Sequence, residues 1–229
     1  MWARYSTLMD QVRVYDGMTI AIGNALFSLQ LNCVMRERAG RFDRMICVII
    51  SKILSIQHFY QENFMPRLAL ADPKTAGAPN INIFKGIANA PEILKGYLGF
   101  NVAVKKHGGL SPAEIEMIAL VVAQEYDCHY CLNAHTQIAK GVGLDEAHTV
   151  ALRKGQGANP REQAIVDFAR AVIATKGYVS DEILQQVRAA GLMDEQITAM
   201  VAMIGIAIFT ALFNHVNDTA SDFPEAPKL

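Results

Sequence analysis

Two cysteines and a histidine lie close together in the stretch EYDCHYCLNAHTQIAKG, which runs from Glu125 to Gly141. Cys131 follows Cys128 by three positions, and His135 follows Cys131 by four. Successive residues of a helix advance by about 100°, so all three side chains share one face if the segment is helical. The pattern therefore brings two thiols within reach of each other and places an imidazole one turn from Cys131.

Two kinds of metal chemistry can be compared with this spacing. Attachment of a c-type haem needs a histidine directly after the second cysteine, and Leu132 occupies that position, so this interpretation fails. A zinc site could use the cluster with His129 as a further ligand. Structural zinc normally needs a second pair of ligands at motif spacing, and Cys33 and Cys47 lie far upstream at no such spacing.

Two interpretations without a metal remain for the cysteines. Both could be small core residues, although that coincidence would have to occur twice on one helical face. The pattern favours a dithiol/disulfide couple at the start of a helix, where free backbone N–H groups stabilise a thiolate and lower the thiol pKa from about 8.5. Asp127 opposes this stabilisation by its negative charge, and a protonated His135 would support it.

A redox thiol needs a proton acceptor, and the preceding helix supplies candidates. Glu114 is expected to serve in a capping box with Ser111. Glu116 lies further along, at the edge of the apolar run MIALVVA, where an unpaired carboxylate is costly to bury. Burial is expected to raise its pKa towards neutrality, which suits a general base. A solvated position on the outer face of the helix is equally compatible with the spacing.

Residues typical of helix starts and ends recur regularly from about residue 90 onward. The alternation of apolar and polar residues that is typical of strands is absent, so the predicted class is all-α. Caps are expected at Ser111, Asp127, Asn159 and Ser180. The predicted helices start near Pro91 and Pro112 and then cover Cys128–Lys140, Asp145–Lys154, Pro160–Lys176, Asp181–Ala190 and about Asp194–Phe213.

The last predicted helix contains QITAMVAMIGIAIFTALFNHV and is apolar nearly all round. Such a helix is either central to a core or buried between subunits, so assembly into a homo-oligomer is the expectation, with a central helix in a monomer as the alternative. The other long apolar run, MICVIISKIL, is interrupted by Lys52 and is shorter than the roughly 20 residues that a membrane helix needs. We therefore expect a cytoplasmic protein with no membrane partner.

Composition narrows the function classes further. The 229 residues are 52% hydrophobic and 19% charged, with a formal net charge of −1. A substantial core can form, and the balanced charge gives no reason to expect a nucleic-acid partner. Four cysteines are too few for a disulfide scaffold, which leaves metal or redox chemistry as the reason to pair two of them.

From Met65 to the C-terminus the sequence resembles the AhpD-like alkylhydroperoxidases of the carboxymuconolactone decarboxylase superfamily. The resemblance rests on Glu116, Cys128-His-Tyr-Cys131 and His135 in that order, and on the flanking stretches MPRLALADP, NIFKGIANAPEILKGYLGFN and FNHVNDTASDFP. It implies an all-helical fold assembled as trimers or hexamers, and a peroxidase or disulfide-reductase activity. The decarboxylase branch lacks the cysteine pair, which disfavours that activity here.

The resemblance also implies roles for residues. Cys131 would be the peroxidatic thiol and Cys128 the resolving one, while Glu116 and His135 would form a proton relay. The chain has Tyr130 where the family has a further relay histidine, so Tyr130 either provides a hydroxyl link or leaves a gap. The implied cycle uses a small hydroperoxide and an external dithiol donor and requires no metal, haem or flavin.

A non-catalytic redox-sensing dithiol is the alternative function. Residues 1–64 match nothing in the family, and they are predicted to be an extension of unknown role. One hypothesis for them is that natural translation starts at Met65. His215, in FNHVND, is a weaker candidate for lining the pocket, because a structural role fits a histidine there better.

Overall fold

The computed structural model describes residues 66–229, and this part of the chain is all-α, as the sequence predicts. The predictions made for residues 1–64 and for Met65 lie outside the described residues. After a 3-10 turn at Pro73–Ala76, the described helices are α1 (Asn82–Ile87), α2 (Pro91–His107), α3 (Pro112–Glu125), α4 (His129–Gly141), α5 (Glu146–Arg153), α6 (Pro160–Thr175), α7 (Asp181–Ala189) and α8 (Asp194–Asn217).

Most helix starts lie where the sequence predicts them. Ser111 accepts the N–H of Glu114, and the Glu114 carboxylate accepts the N–H of Ser111 in return, which completes the capping box before α3. Asn159 caps α6 through its side chain. Ser180 precedes α7 as expected, but its side chain makes no capping hydrogen bond.

The cap predicted at Asp127 is wrong. Asp127 adopts a left-handed conformation, with φ of +48°, which aspartate tolerates better than most residues. The N-cap of α4 is instead Cys128, whose sulfur accepts the N–H of Cys131. The N–H of Cys128 bonds to the carbonyl of Ala123, so the chain turns tightly out of α3 and places the first cysteine beside the end of that helix.

Helix α3 is the centre of the described fold. Nine consecutive residues, Ile115 to Ala123, are buried, because α4, α6 and α8 all pack against it. A buried aliphatic side chain in such a helix contributes about 1.5–3 kcal/mol. Glu116 interrupts this apolar surface and is the one fully buried charged residue in the part of the chain that the structure describes. The alternative of a solvated position for Glu116 is therefore wrong.

Helix α8 extends to Asn217, four residues beyond the predicted end at Phe213. It is long and apolar enough to cross a membrane by length and composition alone, but half of its most apolar 18-residue window is buried against the rest of the protein. Met200, Ile204 and Ala211 face the core. Phe209 and Leu212 are exposed, so burial of this second face between subunits stays a prediction.

Residues 218–229, which we call the tail, leave α8 and meet the start of the described chain. Asn217 accepts the N–H of Arg67 through its carbonyl and that of Leu68 through its side chain. Further along, Asp222 accepts the N–H of Asn82, whose own side chain donates to the carbonyl of Ala220. The segment before α2 and the tail are therefore fastened to each other.

Replacing Ser111 by alanine removes one half of the capping box. We expect Ser111→Ala to lower the free energy of unfolding by about 1 kcal/mol, measured by urea denaturation. Ser180→Ala is the matched control, since Ser180 is also an exposed N-cap serine but makes no capping bond; its effect should stay under about 0.5 kcal/mol. Equal losses in the two variants would contradict the capping assignment.

Candidate active site

Cys128 and Cys131 form a disulfide at the N-terminus of α4, with their Cα atoms 5.2 Å apart. Cys128 is completely buried and Cys131 is 5% exposed. The Cys128 sulfur lies 3.3 Å from the backbone nitrogen of Cys131, so it receives one of the free N–H groups of the first turn. The sulfurs thus have the proximity that the sequence predicts, in a place with little solvent contact.

Glu116 and His135 form a hydrogen-bonded pair. The Oε2 atom of Glu116, on α3, lies 2.7 Å from Nδ1 of His135, on α4. Lys105, on α2, places its Nζ 3.8 Å from Oε1 of the same carboxylate. Three helices therefore converge on one buried carboxyl group. The His135 side chain is 19% exposed, which gives the pair a contact with solvent.

The pKa of Glu116 is lowered, contrary to the shift that the sequence predicts. Burial raises the pKa, as expected, because a carboxylate loses its hydration. The charge and hydrogen bond of His135 and the charge of Lys105 outweigh that effect and stabilise the ionised form. Glu116 is therefore a carboxylate at neutral pH and fixes His135 through Nδ1. The Nε2 atom of that ring makes no hydrogen bond to another described residue.

Asn214, which the sequence analysis did not single out, lies against the cysteine pair. Its side-chain nitrogen is 3.5 Å from the sulfur of Cys131 and 3.8 Å from that of Cys128. Asn214 is 5% exposed, and its Oδ1 atom is buried without a hydrogen-bond partner. The neighbouring His215 is exposed, so it does not face the couple.

Tyr130 has a partner outside the Glu116–His135 pair. Its hydroxyl donates to Asp222 of the tail at 2.7 Å, and its ring packs edge-on against Phe223. Burial and the neighbouring Asp222 carboxylate raise the pKa of Tyr130, which opposes loss of its proton. These contacts favour the alternative in which the predicted proton relay lacks a member at Tyr130, and not the one in which the Tyr130 hydroxyl transfers a proton.

The tail and the residues before α2 cover the couple. The cysteines belong to an apolar cluster whose members include Ile83, Ile87 and Leu94, with Phe223 packed against it. Asn133, on α4, donates to the side chain of Ser221 and accepts the N–H of Ala226. The cover is thus bonded directly to the helix that carries the cysteines.

The structure does not bring His129 to the cysteine pair as a zinc ligand. His129 is exposed, while the two cysteines are buried. Within residues 66–229 no group of three or more His, Cys, Asp or Glu side chains is arranged to hold a metal ion. The arrangement is that of a sulfur pair beside an ionised carboxylate–imidazole pair, which is suited to thiol exchange and proton transfer.

Residues 91–153 match the model of the carboxymuconolactone decarboxylase family. This part of the chain is therefore similar to that family. The matched segment runs from the start of α2 to the end of α5 and contains Glu116, Cys128, Cys131 and His135. None of the curated proteins matches the sequence.

Solved structures of superfamily proteins share the fold. An uncharacterized peroxidase-related protein with an alkylhydroperoxidase AhpD core, from Ralstonia eutropha JMP134, is 22% identical over 62% of this chain and 76% of its own, with a TM-score of 0.58. An uncharacterized peroxidase-related protein from Silicibacter sp. TM1040 is 22% identical over 59% of this chain and 73% of its own, with a TM-score of 0.56.

A third structure shows that other chemistry occurs on this fold. The debrominase Bmp8, in a complex with 2,3,4-tribromopyrrole, is 17% identical over 65% of this chain and 80% of its own, with a TM-score of 0.55. Likeness at these identities shows the all-helical fold alone. The activity of this protein has to be argued from its own side chains.

The lowered pKa of Glu116 has a consequence for acid stability. A carboxyl group whose folded pKa is depressed stabilises the fold above its ordinary pKa and loses that contribution as the pH falls through the folded value. We expect Glu116→Gln to lower the free energy of unfolding by about 2 kcal/mol near pH 7. The difference from the wild type should shrink as the pH falls below the ordinary carboxyl pKa towards the lowered folded value.

Urea denaturation at several pH values measures this difference. Glu92→Gln is the control, because the Glu92–Lys95 ion pair is largely exposed and such pairs contribute little at any pH. A gap between Glu116→Gln and the wild type that widens on acidification would show that burial, and not the cationic partners, controls the pKa of Glu116.

Proposed function

We propose that this protein is a thiol-dependent peroxidase that reduces small hydroperoxides through its Cys128–Cys131 couple. The observation that carries the proposal is that one helix, α4, bears both the sulfur pair and the imidazole that Glu116 holds. Residues four apart on a helix are neighbours, with Cβ atoms about 5–6 Å apart. His135 is therefore a local proton acceptor for Cys131.

Proton transfer starts the cycle. In the neutral form of His135, the Glu116 carboxylate accepts the Nδ1–H and the lone pair lies on Nε2. Nε2 takes the proton of the Cys131 thiol, directly or through one water molecule, and Glu116 stabilises the resulting imidazolium. Lys105 keeps Glu116 ionised throughout. In this scheme Glu116 acts through His135 and does not collect the proton itself.

The chemical steps follow from thiolate chemistry. The Cys131 thiolate attacks the hydroxyl oxygen of the hydroperoxide, an S–O bond forms as the O–O bond breaks, and the sulfur is oxidised to a sulfenic acid. The leaving alkoxide takes the proton from His135. The Cys128 sulfur then attacks the Cys131 sulfur, forming the disulfide and releasing water. An external dithiol reduces the disulfide by exchange and is itself oxidised.

Burial supports the assignment of the two sulfur roles. Cys131 retains some exposure, whereas Cys128 has none, so Cys131 is the sulfur that a small oxidant reaches first. The cover over the couple restricts access to compact substrates. An attacking donor thiol likewise reaches Cys131 more readily than Cys128.

Two other functions are compatible with the fold. A redox sensor would form the same disulfide without turnover. A dehalogenase, as suggested by the similarity to a debrominase, would release halide instead of consuming peroxide.

We propose that the protein acts in the cytoplasm, where reducing dithiols are available. We also propose that the exposed apolar face of α8 is covered in a homo-oligomer.

Substitution of each cysteine separates these functions. With dithiothreitol as donor, we expect the wild type to consume hydrogen peroxide continuously and Cys131→Ser to consume none. Cys128→Ser should give a single sulfenic acid per chain, trapped with dimedone, because the resolving sulfur is missing. Cys47→Ser serves as the control for a cysteine outside the couple and should keep full turnover.

The same assay distinguishes the alternatives. Oxidation of the wild type without continued peroxide consumption would contradict the peroxidase and support a sensor. Bromide release from 2,3,4-tribromopyrrole in the absence of peroxide consumption would support a dehalogenase.

The contacts of Tyr130 predict a structural role in holding the tail. We expect Tyr130→Phe to keep peroxide turnover within about threefold of the wild type, because loss of a general acid–base group would cost about 10²–10⁴-fold. Amide hydrogen exchange in the tail should accelerate, since Asp222 loses the Tyr130 hydroxyl. Tyr178→Phe, at an exposed position, should change neither quantity. A hundredfold loss of turnover with unchanged exchange would restore Tyr130 to the relay.

A further inference from the structure

Asn214 offers both ends of its amide to the place where the chemistry is proposed to occur. It projects from α8, whereas the cysteines lie at the N-terminus of α4. The donor end, Nδ2, contacts both sulfurs, at 3.5 Å from Cys131 and 3.8 Å from Cys128. The acceptor end, Oδ1, is buried with no partner among the described residues. A buried amide oxygen without a partner costs free energy, and such a group calls for a functional explanation.

The Nδ2 donor makes only weak hydrogen bonds while the two cysteines form a disulfide. A disulfide sulfur is a weak acceptor, whereas a thiolate is an ionised one, and hydrogen bonds to ionised acceptors are roughly twice as strong as neutral ones. Nδ2 therefore gains its full interaction only when the couple is reduced and Cys131 has lost its proton. The Cys128 sulfur already receives the N–H of Cys131, so Asn214 is the side-chain donor that favours ionisation of Cys131.

The acceptor end matches the substrate. A hydroperoxide carries one O–H donor, on the oxygen that a thiolate attacks. With Nδ2 directed at the sulfur, Oδ1 lies beside Nδ2 on the same planar amide. It can therefore accept the O–H of a molecule that approaches the sulfur. That hydrogen stays on the transferred oxygen in the sulfenic acid, so the same hydrogen bond persists while the O–O bond breaks.

We infer that Asn214 is a catalytic residue which stabilises the Cys131 thiolate through Nδ2 and orients the hydroperoxide hydroxyl through Oδ1. The role of Oδ1 depends on the peroxidase function proposed above, whereas the role of Nδ2 does not. Asn214 thereby supplies a polar group to the sulfur pair from α8. Tyr130 does not supply one, because its hydroxyl is bonded to Asp222 of the tail.

The thiolate role can be tested without any peroxide. In the reduced Cys128→Ser background, the rate of Cys131 alkylation by iodoacetamide is followed against pH, which reports the thiol pKa. Adding Asn214→Ala should raise that pKa by at least about one unit, since a hydrogen bond to a charged group is lost. Thr210→Val is the control; Thr210 is buried one turn earlier on α8 and bonds only to backbone carbonyls of its own helix.

The Oδ1 role needs peroxide at a pH above the thiol pKa of both proteins, where the thiolate fractions are equal. Under that condition we expect sulfenic acid formation to remain at least about tenfold slower in Asn214→Ala, while Thr210→Val reacts like the parent. If Asn214→Ala does not fold, Asn214→Asp replaces it. That variant keeps the size of the side chain and loses the amide donor, and it should raise the thiol pKa further.

The outcomes separate the claims. An alkylation profile of Asn214→Ala that coincides with that of Thr210→Val overturns the thiolate role. Equal peroxide rates at high pH overturn the Oδ1 role. If the wild type consumes no peroxide but the alkylation profile shifts, the peroxidase function and the Oδ1 role fail together, and the thiolate role stands.

Discussion

The buried carboxylate of Glu116 is the group on which the arrangement of the site depends. It lies within a run of nine consecutive buried residues, where an isolated charge would be strongly destabilising. His135 at 2.7 Å and Lys105 at 3.8 Å offset that cost, and they come from two other helices. Removing either partner leaves a charge with too little compensation, so α2, α3 and α4 must keep their mutual positions. The same constraint holds the His135 ring one turn from the sulfur pair.

The apolar cover around the cysteines is the second feature that determines the environment of the site. It excludes bulk water from a couple whose sulfurs are nearly inaccessible, which strengthens the few polar contacts that reach them. The Cys131 N–H and the Asn214 amide are such contacts. Limited access to the sulfurs and stronger polar contacts are therefore two results of one enclosed environment. The exposed edge of His135 connects that environment to solvent.

The features that the sequence predicted are local ones. The capping box of Ser111 and Glu114, the cap of Asn159 and the shared face of Cys128, Cys131 and His135 all depend on residues within one or two helical turns. The spacing of residues along the sequence is enough to predict such local contacts. The Asp127 cap failed because a cysteine, which is not a usual capping residue, took that position at the turn from α3 into α4.

What the sequence could not supply involves contacts between helices. The direction of the Glu116 pKa shift depends on His135 and, to a smaller extent, on Lys105, which nothing in the pattern marked as a neighbour. Asn214 is 83 residues from Cys131, and an asparagine in an apolar helix carries no chemical signature of its own. The residue type of His215 suggested a role at the site, whereas the helical phase of α8 turns Asn214 inwards and His215 outwards.

The contact between Tyr130 and Asp222 joins residues 92 positions apart, and this separation has a consequence for biosynthesis. The cysteine-bearing helix leaves the ribosome long before the residues that shield it. During that interval the two thiols lack the part of their cover that the tail provides. A chain made under oxidative stress can therefore acquire its disulfide while it is still attached to the ribosome, and the later residues then close over a bond that already exists.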